Sequence, residues 1–430
     1  MSIRAKTLLL ILMEAIFLFT ALVITLAIKS PIHFDLIYLL KHLELFVFIF
    51  PIWQIFFFIE GLYNLKTLNP AGLTISLLRA LFLATTFSII FFYFTPTSLT
   101  TLAPKTNLIL IALISFILIF VWRKNFYQFF SKSTFQRKTL ILGAKEATDF
   151  LIKELETKPF LGFKIDQSLS LKEAEVIALD RNFVHERETL KEVFSYLSSD
   201  KTIMELASFS EKVSGKVPLK SIDEVWFIQF CGEECSRSYQ LLKNLLDKTV
   251  ALILFIILLP FFIIGLPVLL IVHGRPIFFK QIRTGQNNKP FTLYKFRTMV
   301  VDAEKDGAKW ATKGDTRITP LGKFLRKTRI DELPQLINIL RGEMSLVGPR
   351  PERPEMIERE LSNISFYNLR HLVKPGVTGW AQVNYKYGAS IEDSIEKLQY
   401  DLYYVKNKNI WLDILTILKT VKTVVSGAGQ

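Results

Sequence analysis

Two adjacent carboxylates, Asp331 and Glu332, stand among basic residues in the stretch 326–351, just ahead of Pro334. A carboxylate can attack a phosphorus centre and form an acyl phosphate, provided that cations neutralise the substrate's charge. Arginine forks supply such neutralisation, and a second carboxylate is a natural Mg²⁺ ligand. Arg326 and Arg350 bracket the pair at the two ends of the stretch. The chemistry pointed to is phosphoryl transfer. The same residues would also suit an acidic helix N-cap with surface ion pairs, and spacing alone leaves both readings open.

The flanking sequence says how such a pair would be held. Pro334 is tolerated in the first turn of a helix, and Leu336, Ile337, Ile339 and Leu340 give that helix an apolar face. Asp331 and Glu332 then lie at or just before its N-terminus, where the dipole favours anions. Gly342 ends the helix. Gly348-Pro349-Arg350-Pro351 is a stiff turn able to fix Arg350. Upstream, 276–285 and 290–297 alternate apolar residues around Asn287-Asn288, as a short strand pair would. Lys295 and Arg297 share facing parity, so both are expected to meet phosphate oxygens, unless they form a solvated basic face. Residues 302–316 are polar with two glycines and read as a loop able to close over substrate. Residues 391–406 and 410–425 read as helices. In the second, Trp411, Ile414, Leu415, Leu418 and Val421 recur at helical spacing, which suits either an interfacial helix or packing against a core.

The stretch resembles the signature of the bacterial sugar transferases, the polyprenol-phosphate hexose-1-phosphate transferases. Lys295-Phe-Arg297-Thr-Met299 precedes it, and Arg370-His-Leu-Val-Lys374-Pro375-Gly376-Val-Thr-Gly379-Trp380-Ala-Gln382 follows, in the family's order from about residue 245 onward. The run 384–390 and the later Glu396-Lys-Leu-Gln-Tyr-Asp401 are similar to the exopolysaccharide-associated subgroup, with Lys386 where that subgroup has proline. The resemblance implies that a nucleoside diphosphate sugar, UDP-linked, gives its sugar-1-phosphate to undecaprenyl phosphate and releases UMP. It implies Asp331 as nucleophile, Glu332 as Mg²⁺ ligand, and Lys295, Arg326 and Arg350 as substrate-phosphate ligands, to which facing parity adds Arg297. The rival readings are a non-catalytic scaffold for polysaccharide assembly and a glycosyltransferase that would release UDP. The sequence carries no code for which sugar is used.

The rest of the chain would bring this site to a membrane. The 430 residues are 50% hydrophobic with a net charge of +14, a balance that favours an anionic lipid surface. No nucleic-acid motif accompanies the charge, so nucleic acid is not expected as a partner. Cys231 and Cys235 form no disulfide framework or zinc pattern and read as reduced thiols. Apolar runs at 7–28, 43–62, 73–94 and 108–122 suit transmembrane helices, the last one short. Glu14 within the first should face other helices rather than lipid. Arg4, Lys6, Lys66, Arg79 and a basic run after residue 122 outnumber the cations on the other side, placing both ends of the bundle in the cytoplasm.

From 135 onward the chain alternates strand and helix patterns: strand 139–142, helix 145–156, strand 174–180 and helix 187–198. This implies a parallel α/β domain. It is similar to a Rossmann-like fold, but one glycine stands at Gly143 where a dinucleotide fingerprint needs three, so a degenerate domain is expected. Residues 249–272 are apolar but broken by Pro260, and both flanks are basic. A re-entrant helix satisfies this better than a span, and the resemblance implies one at this place.

The expected fold is therefore a membrane protein, α plus α/β: a four-helix transmembrane anchor (1–134), a Rossmann-like middle domain (135–240), and a re-entrant-helix catalytic domain with amphipathic interfacial helices (241–430). The expected setting is the bacterial inner membrane, with catalysis on the cytoplasmic face. The oligomeric state is open, with a homodimer as the leaning.

Overall fold

The computed structural model describes every residue except 33, 67, 69, 95–103, 144, 182–186, 233–236, 302, 304–314, 386–389 and 426–430. The chain falls into two compact units, Met1–Gly215 and Lys216–Gln430. Cys235 and most of the loop expected at 302–316 lie outside the described residues, as do Lys386 and Gly388.

In the first unit the apolar runs become α1 (Ile3–Lys29), α2 (Leu36–Ile59), α3 (Leu73–Phe94) and α4 (Pro104–Phe130). All four are long and apolar enough to cross a membrane. Two helices depart most from the expected runs. The second helix starts at Leu36 because the Asp35 side chain accepts from Tyr38 N at 2.7 Å and caps it early. The fourth is not short, because Asn107 and the polar residues after Trp122 continue the helix beyond the apolar core of the run.

Leu18, Leu22, Phe50, Trp53 and Phe57 face inward, while Phe48 and Phe82 point outward, as lipid-facing helices require. Glu14 faces Arg123 of α4 at 2.7 Å, and both side chains are fully buried. Arg123 Nη1 also donates to Leu62 O at 2.8 Å.

The same unit carries a parallel sheet. It is built from β1 (Arg137–Leu142), α5 (Lys145–Thr157), β2 (Phe163–Ile165), β3 (Val176–Leu179), α6 (Arg187–Ser195), β4 (Thr202–Glu205) and α7 (Leu206–Ser214). Its strand order is β2-β1-β3-β4, parallel throughout, as the strand–helix alternation requires. Basic residues of the bundle fasten to this layer. Lys6 Nζ donates to Phe160 O at 2.8 Å and Lys66 Nζ to Glu211 O at 3.1 Å.

The second unit opens with α8 (Glu224–Gly232), then α9 (Arg237–Ile257) and α10 (Leu259–His273). The last two meet at Leu258 with a bend of 62°. Pro260 sits in the first turn of α10, where its missing N–H costs nothing, so the break falls just ahead of it. Ile256, Ile257, Ile263, Ile264 and Ile271 are exposed along the bent pair.

The hairpin β5 (Phe278–Thr284) and β6 (Pro290–Phe296) is antiparallel and turns through Gln286–Asn288, as expected. Then follow α11 (Pro320–Thr328), α12 (Gln335–Arg341), β7 (Ser345–Val347), α13 (Pro354–Met356), β8 (Gly376–Thr378), α14 (Trp380–Asn384), α15 (Ile391–Asn407) and α16 (Ile410–Val425). β7 and β8 pair in parallel. Ala251 of α9 packs with Leu293 of β6 and with Leu336 and Ile339 of α12, so the bent helix and the carboxylate-bearing segment share one core.

Helix α16 uses both of its faces. Trp411, 80% exposed, and Ile414, Ile417 and Val421 lie outward, while Leu412 and Thr416 are buried. Lys419 is on the packed side, its Nζ over the Trp380 ring and bonded to Asn384 Oδ1 at 2.7 Å.

Candidate active site

Asp331 and Glu332 lie in a single 3₁₀ turn, Ile330–Glu332, between α11 and α12. Helix α12 starts after Pro334 and stops at Gly342, which has φ +80°. The turn is aimed by its neighbours on three sides.

From upstream, α11 crosses the backbone at Thr298 so closely that a Cβ on Gly322 would lie 2.0 Å from Thr298 O. From beside it, the fully buried Asn338 of α12 ties itself to β6, donating to Thr292 O at 2.7 Å and accepting from Tyr294 N at 3.3 Å. That register brings Lys295 Nζ to Glu332 Oε1 at 3.1 Å. From downstream comes the strap 348–352. Gly348 N donates to Thr378 O at 2.9 Å, and a Cβ there would lie 2.3 Å from Lys374 O, so only glycine permits the crossing. Gly376 N donates to Pro349 O at 3.0 Å, Arg283 Nη1 to Pro351 O at 2.9 Å, and Tyr404 OH to Val347 O at 3.1 Å. With its backbone held at each step, the strap presents Arg350 to Glu332 Oε1, both terminal nitrogens lying at 3.3 Å.

Behind Arg350 is a second buried pair. Arg370 meets Asp401 through Nε (3.1 Å) and Nη2 (2.7 Å), and donates from Nη2 to Arg350 O at 2.8 Å. Its Nη1 donates to Tyr367 OH at 2.6 Å. Next to it, burial and then the Arg370 charge push His371 down to about 4, so its ring is neutral at pH 7. The neutral ring's Nδ1–H donates to Asn288 Oδ1 at 2.6 Å, fixing the hairpin tip.

Five of the six residues singled out from the sequence come together: Asp331, Glu332, Lys295, Arg350 and Arg326. Arg326 acts on Asp331 through its charge, while its Nε donates to Thr298 Oγ1 at 2.8 Å. Arg297 does not join them. Strand β6 ends at Phe296, so the parity argument lapses one residue short. Arg297 turns instead to the end of α10, donating to His273 O and, at 3.4 Å, to Gly274 O. It satisfies carbonyls that a helix C-terminus leaves open. Arg329 was not singled out, yet its Nη1 lies 3.3 Å from Glu332 Oε1. Thr298, Arg370 and Asp401 stand in the motif runs without individual roles, and Asn338 was not singled out. Their roles depend on partners 28 to 46 residues away, which no local pattern reveals.

The electrostatics separate the two carboxylates. Burial alone would raise Glu332, but Lys295, Arg350 and Arg329 outweigh it and hold that carboxyl well below the usual range. Burial raises Asp331 above its ordinary value, against the pull of Lys295. Asp331 Oδ1 is buried and accepts no hydrogen bond from the described residues. One carboxylate oxygen, Glu332 Oε1, thus gathers three cations, and neighbouring Asp331 keeps an oxygen uncommitted.

A sequence profile of the bacterial sugar transferase family matches residues 238–427. Over 336 residues the chain is 30% identical to an undecaprenyl-phosphate galactose phosphotransferase of Salmonella typhimurium, covering 68% of this chain and 69% of that protein. It is 38% identical over 227 residues to a UDP-N-acetylgalactosamine-undecaprenyl-phosphate N-acetylgalactosaminephosphotransferase of Aeromonas hydrophila, covering 53% of each. It is 41% identical over 181 residues to a UDP-glucose:undecaprenyl-phosphate glucose-1-phosphate transferase of Klebsiella pneumoniae, covering 42% of this chain and 39% of that protein. The chain thus matches about half or less of the length of the latter two relatives.

Proposed function

The chain belongs to the bacterial sugar transferase family, and from that premise we propose that it transfers a sugar-1-phosphate from a UDP-sugar to undecaprenyl phosphate in a bacterial inner membrane. The observation that carries this reading is the carboxylate pair itself. Three cations converge on Glu332 Oε1 beside the uncommitted Oδ1 of Asp331.

Asp331 attacks the sugar-bearing phosphorus. The P–O bond to the bridging oxygen breaks, that oxygen leaves with UMP, and the sugar phosphate stays on the aspartyl oxygen. After UMP departs, an oxygen of undecaprenyl phosphate attacks the same phosphorus and the Asp331 carboxylate is regenerated. No histidine base is required, because the acceptor phosphate is already ionised. Lys295, Arg326 and Arg350 hold phosphate oxygens through both steps. The covalent step lets one pocket take two anionic substrates in turn.

Mg²⁺ fits this donor set. Two neighbouring carboxylates, one with an orphaned oxygen, suit an ion that completes its shell with substrate phosphate and water. Glu332 would hold it, and the ion would neutralise charge on the phosphates. The names of the relatives support undecaprenyl phosphate and a sugar donor as substrates. An exopolysaccharide product is the further reading.

The bent α9–α10 pair enters and leaves on the cytoplasmic side in this account, keeping Asp331 with soluble donors. The 62° break and its basic flanks support that. An exposed-site cysteine, Glu358→Cys in a background with Cys231 and Cys235 replaced by serine, should resist a membrane-impermeant thiol reagent on intact cells. Labelling from outside would contradict the re-entrant topology. The transfer itself is tested by a donor labelled at the sugar-bearing phosphate. Without lipid acceptor, label should remain on the chain and vanish in Asp331→Asn. Absence of protein-bound label in the parent would count against the covalent step.

A further inference from the structure

Arg329 occupies a backbone position that ordinary arginine avoids. It follows the last turn of α11 with φ 58° and ψ 14°, in the left-handed region. Its N–H bonds to Arg326 O at 3.2 Å, closing that helix, and its own carbonyl accepts from Glu332 N at 3.2 Å, opening the next turn. At such a helix-ending position glycine or asparagine is the common choice, and a long side chain is strained there. Where a residue breaks the local rule beside a reactive group, what its side chain reaches supplies the reason.

The side chain reaches Glu332 Oε1, together with Lys295 from β6 and Arg350 from the strap, at 3.1 to 3.3 Å. One oxygen accepting from three cations on three separate elements occupies a seat shaped for a phosphate oxygen. The three cation side chains are 17–27% exposed while Glu332 is 8% exposed, so the donors can be approached from solvent. The charge count agrees. Lys295, Arg326, Arg329 and Arg350 against Asp331 and Glu332 leave an excess of two positive side-chain charges before any Mg²⁺ is counted, which draws the two negative charges of a diphosphate diester. Removing Arg329 leaves one.

We propose that Arg329 is an additional phosphate-binding residue, delivered by its left-handed backbone to take an oxygen of the donor diphosphate. This rests on the transferase reading above for the identity of the donor. When phosphate arrives, Arg329 exchanges its share of Glu332 for the incoming oxygen, and Glu332 is released from one of its cations.

The test uses the full chain in nanodiscs with Arg329→Asn, which tolerates the left-handed backbone but has no charge, and Arg329→Lys, which restores the charge. Calorimetric titration with inorganic pyrophosphate at fixed ionic strength reads the cation cluster without turnover. Arg329→Asn should bind about tenfold more weakly, as the loss of one partly exposed charge-assisted contact implies. Arg329→Lys should stay within about threefold of the parent. In turnover the donor KM of Arg329→Asn should rise by a similar factor while kcat stays nearly level. Unchanged pyrophosphate affinity in Arg329→Asn would overturn the proposal. So would a lysine variant as weak as the asparagine one, or a loss confined to kcat. A parent that binds pyrophosphate but makes no lipid product would refute the transferase reading, and the affinity comparison would still decide on Arg329.

Discussion

Two glutamates of this chain are buried against arginine, and they are used in opposite ways. Glu14 meets Arg123 inside the helical bundle, with no exposure on either side chain. One charge answers one charge, and Leu62 O takes a further arginine N–H. Glu332 meets Lys295, Arg329 and Arg350, a surplus of cations that remain partly open to solvent. A balanced, closed pair ties helices together. An unbalanced, open cluster has attraction left over for something that arrives. Burial of a carboxylate therefore says little about function until the neighbouring charges are counted and their access is known.

The sharpest contrast comes from removing the reactive oxygen. Asp331→Asn keeps shape and polarity but cannot attack, so steady-state transfer should fall by at least about 1,000-fold with the fold intact. Pyrophosphate affinity measured alongside should not drop. Residual activity near the parent's would remove Asp331 from the nucleophile's role.

In the bundle, Glu14→Leu strands Arg123 without its counter-charge, which should cost about 3–5 kcal/mol of stability. The double change Glu14→Leu with Arg123→Met should recover most of it. Thermal unfolding in detergent measures both, and transfer per folded molecule should be unchanged. A bundle pair whose loss altered the donor KM would break the division drawn here.

Arg370 and Asp401 form an intermediate case: balanced and closed, but bonded to the backbone that carries Arg350. Arg370→Lys keeps the charge and loses the fork, so Arg350 should drift and kcat/KM fall by about 10- to 100-fold. An effect on melting temperature alone would make the pair purely structural. The smallest change is expected for Thr298→Val. It removes one hydrogen bond to Arg326, worth about 0.5–1.5 kcal/mol, and should raise donor KM by roughly threefold to tenfold.

Much of this was legible in the sequence because it is local. Pro334 and Gly342 mark the ends of α12, and the alternation around Asn287-Asn288 marks the hairpin. Four apolar runs mark four helices, though capping by Asp35 and the polar end of α4 carried two of them well past the apolar runs. What could not be read depends on where chain segments meet or on conformations that residue type argues against. Parity placed Arg297 with Lys295, but parity holds only while the strand lasts, and β6 stops at Phe296. Residue type does not point to Arg329, because a left-handed helix end favours glycine or asparagine. Arg370 and Asp401 are 31 residues apart and nothing in their spacing pairs them. Nothing in the spacing of Lys419 marks it as buried, and only its packing on Trp380 shows that it is.

The most direct measurement of the central claim is the identity of the nucleotide released when the purified chain acts on a UDP-sugar with undecaprenyl phosphate. Attack by Asp331 on the sugar-bearing phosphorus requires UMP, in step with lipid diphosphosugar. Release of UDP would mean that the sugar alone had moved, and would contradict the role assigned to the carboxylate pair.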